Sequence, residues 1–64
     1  MLGPSIRRRR LDAGLTLVAL ADRSGLSQPF LSQVETGKAT PSIDSLQRIA
    51  QALDTTPQGL LQAH

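Results

Sequence analysis

Glycine and proline interrupt this 64-residue chain at short intervals. The breaks fall at Gly3-Pro4, Gly14, Gly25, Gly37, Pro41, Pro57 and Gly59. Between them lie segments of roughly 8–12 residues in which apolar side chains recur with a period near 3.6 and show no sustained alternation. The pattern therefore predicts five short helices and no strand, in one compact all-α domain that spans residues 1–64.

Capping signals indicate where the predicted helices begin and end. Helix 1 should start after Pro4-Ser5 and end near Ala13, where Gly14 can adopt a left-handed conformation. The later helices should each begin with a hydroxyl residue, because Ser and Thr side chains accept hydrogen bonds from first-turn amides. These starting residues are Thr16, Ser27, Ser42 and Thr56.

The apolar residues of these helices predict a core built from Leu, Ile and Ala. Phe30 is the only aromatic residue, and no cysteine is present. One face of helix 2 should point inward, as should a stripe on helix 4 and both leucines of helix 5. These positions are Leu20, Ala21, Ser24, Leu46, Ile49, Ala50, Leu53, Leu60 and Leu61. Small side chains of this kind favour close helix packing over a wide ligand cavity.

Charge and composition limit the classes of function. Seven Lys and Arg against five Asp and Glu give a net charge of +2, which permits a nucleic-acid partner without arguing strongly for one. No apolar run approaches the roughly 18 residues of a membrane span, and no signal-peptide pattern is present, so we expect a soluble cytoplasmic protein. The only histidine is the final residue, His64, and no metal-spaced cluster occurs, so we expect no enzyme, metal or cofactor.

The outward face of helix 3 is the most informative surface. At about 100° per residue, Ser27, Leu31 and Val34 define its buried side, and Phe30 lies on the flank. The opposite side carries no charge, whereas a solvated helix face usually carries Glu and Lys. Glutamine can pair with adenine, serine with several base edges, and an apolar edge with a thymine methyl group. We therefore expect base readout in DNA by Gln28, Pro29, Ser32 and Gln33.

Two further groups of residues surround this face. Arg10 and Glu35 should meet between helices 1 and 3, where each would be costly to bury alone, and we favour a structural ion pair over phosphate binding by Arg10. The polar loop 38–42 and Thr16 supply hydroxyls, an ammonium group and helix-terminal amides, which are typical ligands of phosphate oxygens. The run Arg7–Arg10 is interpreted as a solvated face, with membrane-surface binding as the less favoured alternative.

These residues resemble a known family. The chain is similar to the Cro/CI-type (XRE) helix-turn-helix domain of bacterial and phage repressors. The residues that carry this similarity are Leu15-Thr16, Leu20-Ala21, Gly25-Leu26-Ser27, Leu31-Ser32-Gln33-Val34-Glu35, Gly37-Lys38, Pro41-Ser42, Leu46 and Ile49-Ala50-x-Ala52-Leu53. The resemblance covers about residues 6–61. It is especially close to the N-terminal domains of regulators that carry a cupin sensor, and it implies a lambda-repressor-like fold with the helix-turn-helix at about residues 16–36.

The resemblance also implies site residues. The four outward residues of helix 3 match its base-reading positions, and Arg10 with Glu35 match an ion pair of phage repressors. Backbone contacts to DNA are implied for Thr16, Leu17, Ser27, Thr36, Lys38, Thr40 and Ser42. Leu17 departs from the pattern, because many members have glutamine there, so a side-chain contact to phosphate is lost.

Two functions remain open at this point. The leading hypothesis is sequence-specific binding of double-stranded DNA by a bacterial transcriptional regulator, acting as a homodimer on a palindromic operator, with the dimer contact possible in a C-terminal domain. The alternative is a protein-interaction module of the same fold, such as an antitoxin or a coactivator. In that case Phe30 and Leu17 would be exposed contact residues.

Overall fold

The computed structural model describes residues 2–62 and shows five α-helices. Their bounds are α1 Leu2–Asp12, α2 Leu17–Ser24, α3 Gln28–Glu35, α4 Ile43–Ala52 and α5 Pro57–Leu61. No strand occurs in this range. The predicted all-α class and the number of helices are therefore confirmed; His64, discussed above, lies outside the described residues.

Each helix after α1 begins directly after the hydroxyl residue that the sequence predicted as its start, and that residue is its N-cap. The side-chain oxygen of each of these N-caps accepts a hydrogen bond from the amide three residues further along. This satisfies one of the first-turn amides that a helix cannot pair internally. Because such caps are local interactions, the sequence alone could place these four starting points.

Helix α1 begins earlier than predicted. We expected it to start after Pro4-Ser5, whereas it begins at Leu2. Proline is tolerated in a first helical turn, where its missing amide would have had no partner. The Gly3-Pro4 pair therefore lies inside the first turn and does not precede the helix.

The helices enclose one small aliphatic core. Side chains from all five helices are buried there, and α3 packs against both α1 and α2. The buried apolar residues are Ile6, Leu20, Leu31, Val34, Ile49, Ala50, Leu53 and Leu60. Leu61 was expected to fold back onto this core, but its side chain is 59% exposed. A five-residue helix can turn only one narrow stripe inward, and Leu60 occupies it.

A left-handed glycine makes the corner between α2 and α3. Gly25 has φ 70°, and its amide donates to the carbonyl of Ala21 at 3.0 Å. The amide of Leu26 donates to the same carbonyl at 3.2 Å. The chain therefore leaves α2 sharply, and only three residues separate the end of α2 from the start of α3.

This corner carries our first prediction. Gly25→Ala should destabilise the fold by about 1–2 kcal/mol, because a Cβ disfavours left-handed backbone. The reverse exchange at Asp54, whose φ is 56°, is the control: Asp54→Gly should be neutral or slightly stabilising. Urea denaturation followed by circular dichroism measures both changes. Equal stabilities of the two variants would contradict the strain assigned to Gly25.

Candidate nucleic-acid interface

The outward face of α3 is open to solvent. Gln28, Pro29, Ser32 and Gln33 are all exposed. On the opposite side of the same helix, Leu31 is completely buried and Val34 is 2% exposed. Two anchors therefore hold the helix on the core while its amide and hydroxyl side chains project outward. The geometry brings the four proposed reading residues together on one surface.

Ser27 differs from its predicted placement. It was assigned to the buried side of helix 3, but it is exposed. The reason is that Ser27 lies at the N-cap with extended backbone, so the angular spacing of a helix does not apply to it. Its hydroxyl accepts from the amide of Phe30 at 3.2 Å, and this hydrogen bond fixes the start of α3.

Pro29 alters the N-terminus of α3 chemically as well as sterically. Proline has no amide proton, and the Phe30 amide is already bonded to Ser27. Within the first turn of α3, only the Gln28 amide is left to meet a ligand. The starts of α2 and α4 contain no proline and present two such amides each, at Leu17–Val18 and Ile43–Asp44. These two helix starts are therefore better suited to phosphate than the start of α3.

The hydroxyl groups assigned to the DNA backbone fall into two groups. Thr16 and Ser27 accept hydrogen bonds from amides, so their own protons stay available for a phosphate oxygen. Thr36 instead donates to the carbonyls of Ser32 and Gln33, at 3.0 and 3.3 Å. Its proton is therefore occupied within α3. Ser42 belongs with Thr36, because its hydroxyl donates to the hydroxyl oxygen of Ser45 at 3.0 Å while accepting from the Ser45 amide.

The loop after α3 is partly closed by its own hydrogen bonds. The amides of Lys38 and Ala39 both donate to the carbonyl of Gln33, at 2.8 and 3.2 Å. These amides are not free for a ligand. The side chains of Lys38 and Thr40 are exposed, and Lys38 takes part in none of the salt bridges formed within residues 2–62. What the loop offers a phosphate is consequently an ammonium group and a hydroxyl.

Arg10 and Glu35 join α1 to the end of α3. The Nε atom of Arg10 lies 2.7 Å from Oε2 of Glu35, and a second guanidinium nitrogen lies 3.1 Å from Oε1. The pair is bidentate and almost fully enclosed, with side chains 11% and 5% exposed. The hydrogen bond to Glu35 raises the pKa of Arg10 against the opposing effect of burial. The guanidinium therefore stays charged throughout the neutral and mildly alkaline range.

A third contact of Arg10 was not foreseen. Its remaining terminal nitrogen donates to the carbonyl of Leu15 at 3.0 Å, so one side chain ties together α1, the loop before α2 and the end of α3. No sequence pattern reports a main-chain acceptor of this kind. The exposure of Ile43 was not foreseen either: this apolar residue is 79% exposed at the first position of α4. Its position outside the apolar stripe of that helix could have indicated this exposure.

Phe30 and Leu17 are not free surface residues. Both are half-buried and pack against the core. The expectation that they would form exposed contacts in a protein-interaction module is therefore wrong. Phe30 lies between the outward face and the buried side of α3, and Leu17 is the first residue of α2, where it packs against the core. The most exposed large apolar residues in the described range are Leu11, Val18, Ile43 and Leu61.

Two short helices meeting at a left-handed glycine, with the second helix exposed along a polar face, define the helix-turn-helix class. The family model for the helix-turn-helix domain HTH_3 matches residues 6–60. The chain belongs to this XRE-type family, and its relatives from Mycobacterium tuberculosis and Bacillus subtilis are HTH-type transcriptional regulators.

Relatives and solved structures agree with this membership. An HTH-type transcriptional regulator of Mycobacterium tuberculosis is 47% identical over 58 residues, which are 91% of this chain and 41% of the relative. The crystal structure of the biofilm regulator SinR in complex with DNA has a TM-score of 0.91 at 32% identity, covering 97% of this chain and all of that one. The DNA-binding domain of the P22 c2 repressor has a TM-score of 0.92 at 31% identity, covering 97% and 82%.

The chain therefore has a lambda-repressor-like fold, as predicted. It spans less than half the length of the M. tuberculosis regulator, 41%. None of the helices within residues 2–62 is long and apolar enough to cross a membrane.

Proposed function

We propose that this chain binds double-stranded DNA in a sequence-specific manner as part of a bacterial transcriptional regulator in the cytoplasm. Helix α3 enters the major groove, which is wide enough to admit a helix. The observation that carries the proposal is the exposed, uncharged and hydrogen-bonding face of α3, held outward by buried Leu31 and Val34. The close similarity to SinR, whose structure was solved with DNA, supports it.

Base reading is assigned to the outward face of α3. Gln28 and Gln33 can each donate and accept at once, which suits adenine N6 and N7, and Ser32 can bond several base edges. Pro29 offers an exposed apolar ring edge to a thymine methyl group, and the neighbouring Phe30 is half-buried. The face carries neither Arg nor Lys, the usual bidentate partners of guanine, so we expect sites rich in A·T pairs.

Phosphate binding is assigned to the rim of this face. Thr16, Ser27 and Ser42 lie at helix starts, where backbone amides and hydroxyls can hold phosphate oxygens, and the Leu17 amide joins them. Lys38 and Thr40 extend the rim along the loop. Thr36 is the weakest of the assigned contacts, because its hydroxyl proton is bonded within α3 and, unlike Ser42, it does not lie at a helix start.

A dimer on a palindromic operator completes the proposal. Two copies of α3 related by a two-fold axis would enter successive major grooves about 34 Å apart. Several relatives are longer than this chain, and their additional segments are a natural place for the dimer contact. The chain is proposed to act by binding, with no enzymatic step.

A salt series tests the proposal through Lys38. Fluorescence anisotropy with a labelled duplex should show log K falling linearly with log salt concentration. Lys38→Gln should reduce that slope by about 1, because one phosphate contact is lost, and should weaken all duplexes about equally. Arg23→Gln is the matched control: it removes one exposed positive charge at the end of α2 and should leave the slope unchanged. A wild-type chain with neither a slope nor a preference among duplexes would refute DNA binding.

A further inference from the structure

The first turn of α1 lies directly on the C-terminal end of α3. Gly3 is buried, and a Cβ atom added to it would lie 2.5 Å from the carbonyl oxygen of Glu35 and 2.6 Å from that of Val34. Real Cβ atoms essentially never approach other atoms so closely. Both obstructing atoms belong to the main chain of α3, so neither can rotate away. Only glycine fits at this position without moving one helix relative to the other.

Glu35 is therefore held by α1 in two ways. Its carboxylate accepts two hydrogen bonds from the guanidinium of Arg10, and its carbonyl lies against Gly3. Gly3 and Arg10 are two helical turns apart on α1, and they lie on one face because seven residues correspond to nearly two full turns. The ion pair pulls the end of α3 toward α1, and the main-chain contact at Gly3 limits how near it can come.

We propose that Gly3 is a positioning residue that sets the distance between α1 and the end of α3, and thereby the placement of Gln33 for base contact. The structural half of this inference, the distance between α1 and the end of α3, is a property of the free protein. Its consequence for DNA rests on the function proposed above.

The two ends of α3 should respond differently to a change at Gly3. The start of α3 is held by the Gly25 corner and the Ser27 cap, far along the helix from Gly3. The end of α3 is the part that α1 contacts. Hydrogen bonds to bases tolerate only a few tenths of an ångström in distance. Displacing the end of α3 should therefore impair Gln33 more than Gln28.

Gly3→Ala tests the structural half without DNA. The amides of Gly37, Lys38 and Ala39 donate to carbonyls of Val34 and Gln33 and report on the end of α3. We expect their hydrogen exchange, measured by NMR, to accelerate at least tenfold relative to the change at Gly25 and Leu26. Alanine favours a helix more than glycine does, so without the steric overlap the variant would be more protected everywhere.

Three further variants keep this test decisive. Pro4→Ala changes the adjacent, exposed position of the same turn and should leave exchange at residues 37–39 unchanged. If Gly3→Ala does not fold, a chain beginning at Pro4 removes the contact without creating an overlap. Because it also lacks Leu2, which packs against the core, its local acceleration should exceed that of Leu2→Ala, which keeps Gly3. The inference would be overturned if hydrogen exchange at residues 37–39 were unchanged in Gly3→Ala. If Gly3→Ala does not fold, exchange in the shortened chain that is no faster than in Leu2→Ala would overturn it.

Double-mutant cycles test the consequence for DNA. A duplex selected by the wild-type chain from a randomised pool serves as the probe, with an unselected duplex for comparison. Gly3→Ala should reduce the preference between them about tenfold without changing the salt slope. Its effect should be strongly reduced when Gln33 is already alanine and should add to that of Gln28→Ala. Additivity with both glutamines would overturn the positioning role. Failure of the wild-type chain to select any duplex would refute the proposed function instead, and hydrogen exchange would then decide the role of Gly3.

Discussion

Replacing Gln28 and Gln33 together with alanine is expected to remove most of the sequence preference of DNA binding while leaving the fold intact. Each bidentate contact between a side chain and a base is worth about 1–3 kcal/mol of discrimination. Losing both should cost about 2–6 kcal/mol per half-site, which is a factor of about 30 to 2 × 10⁴ in the preference for the selected duplex. Both side chains are exposed, so stability should change little.

Binding to unselected DNA should survive this double substitution. That binding arises from phosphate contacts, which the glutamines do not supply, so the salt slope should stay at its wild-type value. Anisotropy titrations with the selected and an unselected duplex at one fixed salt concentration measure the ratio. Thermal unfolding measured alongside confirms that the fold is retained.

Gln51→Ala is the control for the double substitution. Gln51 is an exposed glutamine on α4, outside the face of α3, and its loss should leave the preference unchanged. If the glutamine pair could be removed with the preference intact, α3 would not be the reading helix. Should the double variant instead lose a protein partner and keep its DNA preference, the protein-interaction alternative would replace the proposed function.

Local interactions explain why so much of the fold could be predicted. The four hydroxyl caps bond amides only three residues away, and the left-handed turn at Gly25 is set by its missing Cβ. Both effects depend on a few neighbouring residues, so a sequence pattern contains them completely. The starts of α2 to α5 and the end of α2 followed for this reason.

Two of the predictions that failed depend on how a helix packs against its neighbours. Gly3-Pro4 has the composition of a helix breaker, yet the space beside α3 requires the glycine and the first turn tolerates the proline. Leu61 has the right residue type for a core position, but a helix as short as α5 has room for Leu60 alone. Neither result can be obtained from periodicity within one segment.

The candidate site likewise contains residues whose exposure could be predicted from the sequence and residues whose exposure could not. The exposure of Gln28, Ser32 and Gln33 follows from the angular spacing of α3 once its buried side is known. Phe30 and Leu17 lie at the border of the core, where packing by neighbouring helices decides how much of each side chain stays exposed. Which base each outward residue contacts depends on the DNA as well as the protein, so those roles stay predictions.

The largest loss of stability is expected from Glu35→Ala. Removing this carboxylate would leave the guanidinium of Arg10 enclosed, with its side chain only 11% exposed and its main remaining partner the carbonyl of Leu15. Breaking one side of a buried ion pair costs about 3–5 kcal/mol, because a charge stays desolvated without its counterion. A domain of this size is stabilised by only several kcal/mol, at roughly 0.05–0.15 kcal/mol per residue. Much of the Glu35→Ala protein should therefore be unfolded at 37 °C, as measured by urea and thermal denaturation.

Two controls test whether the loss of stability comes from leaving a buried charge unpaired or from losing any ion pair. Asp44→Ala breaks the exposed pair of Asp44 with Arg48, whose side chains are 74% and 53% exposed, and should cost no more than about 0.5 kcal/mol. The double change Arg10→Met with Glu35→Leu removes both buried charges and should cost less than Glu35→Ala alone, since no charge then remains without a partner. A Glu35→Ala protein as stable as Asp44→Ala would show that Arg10 reaches solvent easily, and α1 would then be much more loosely attached to α3 than its contacts with Glu35 indicate.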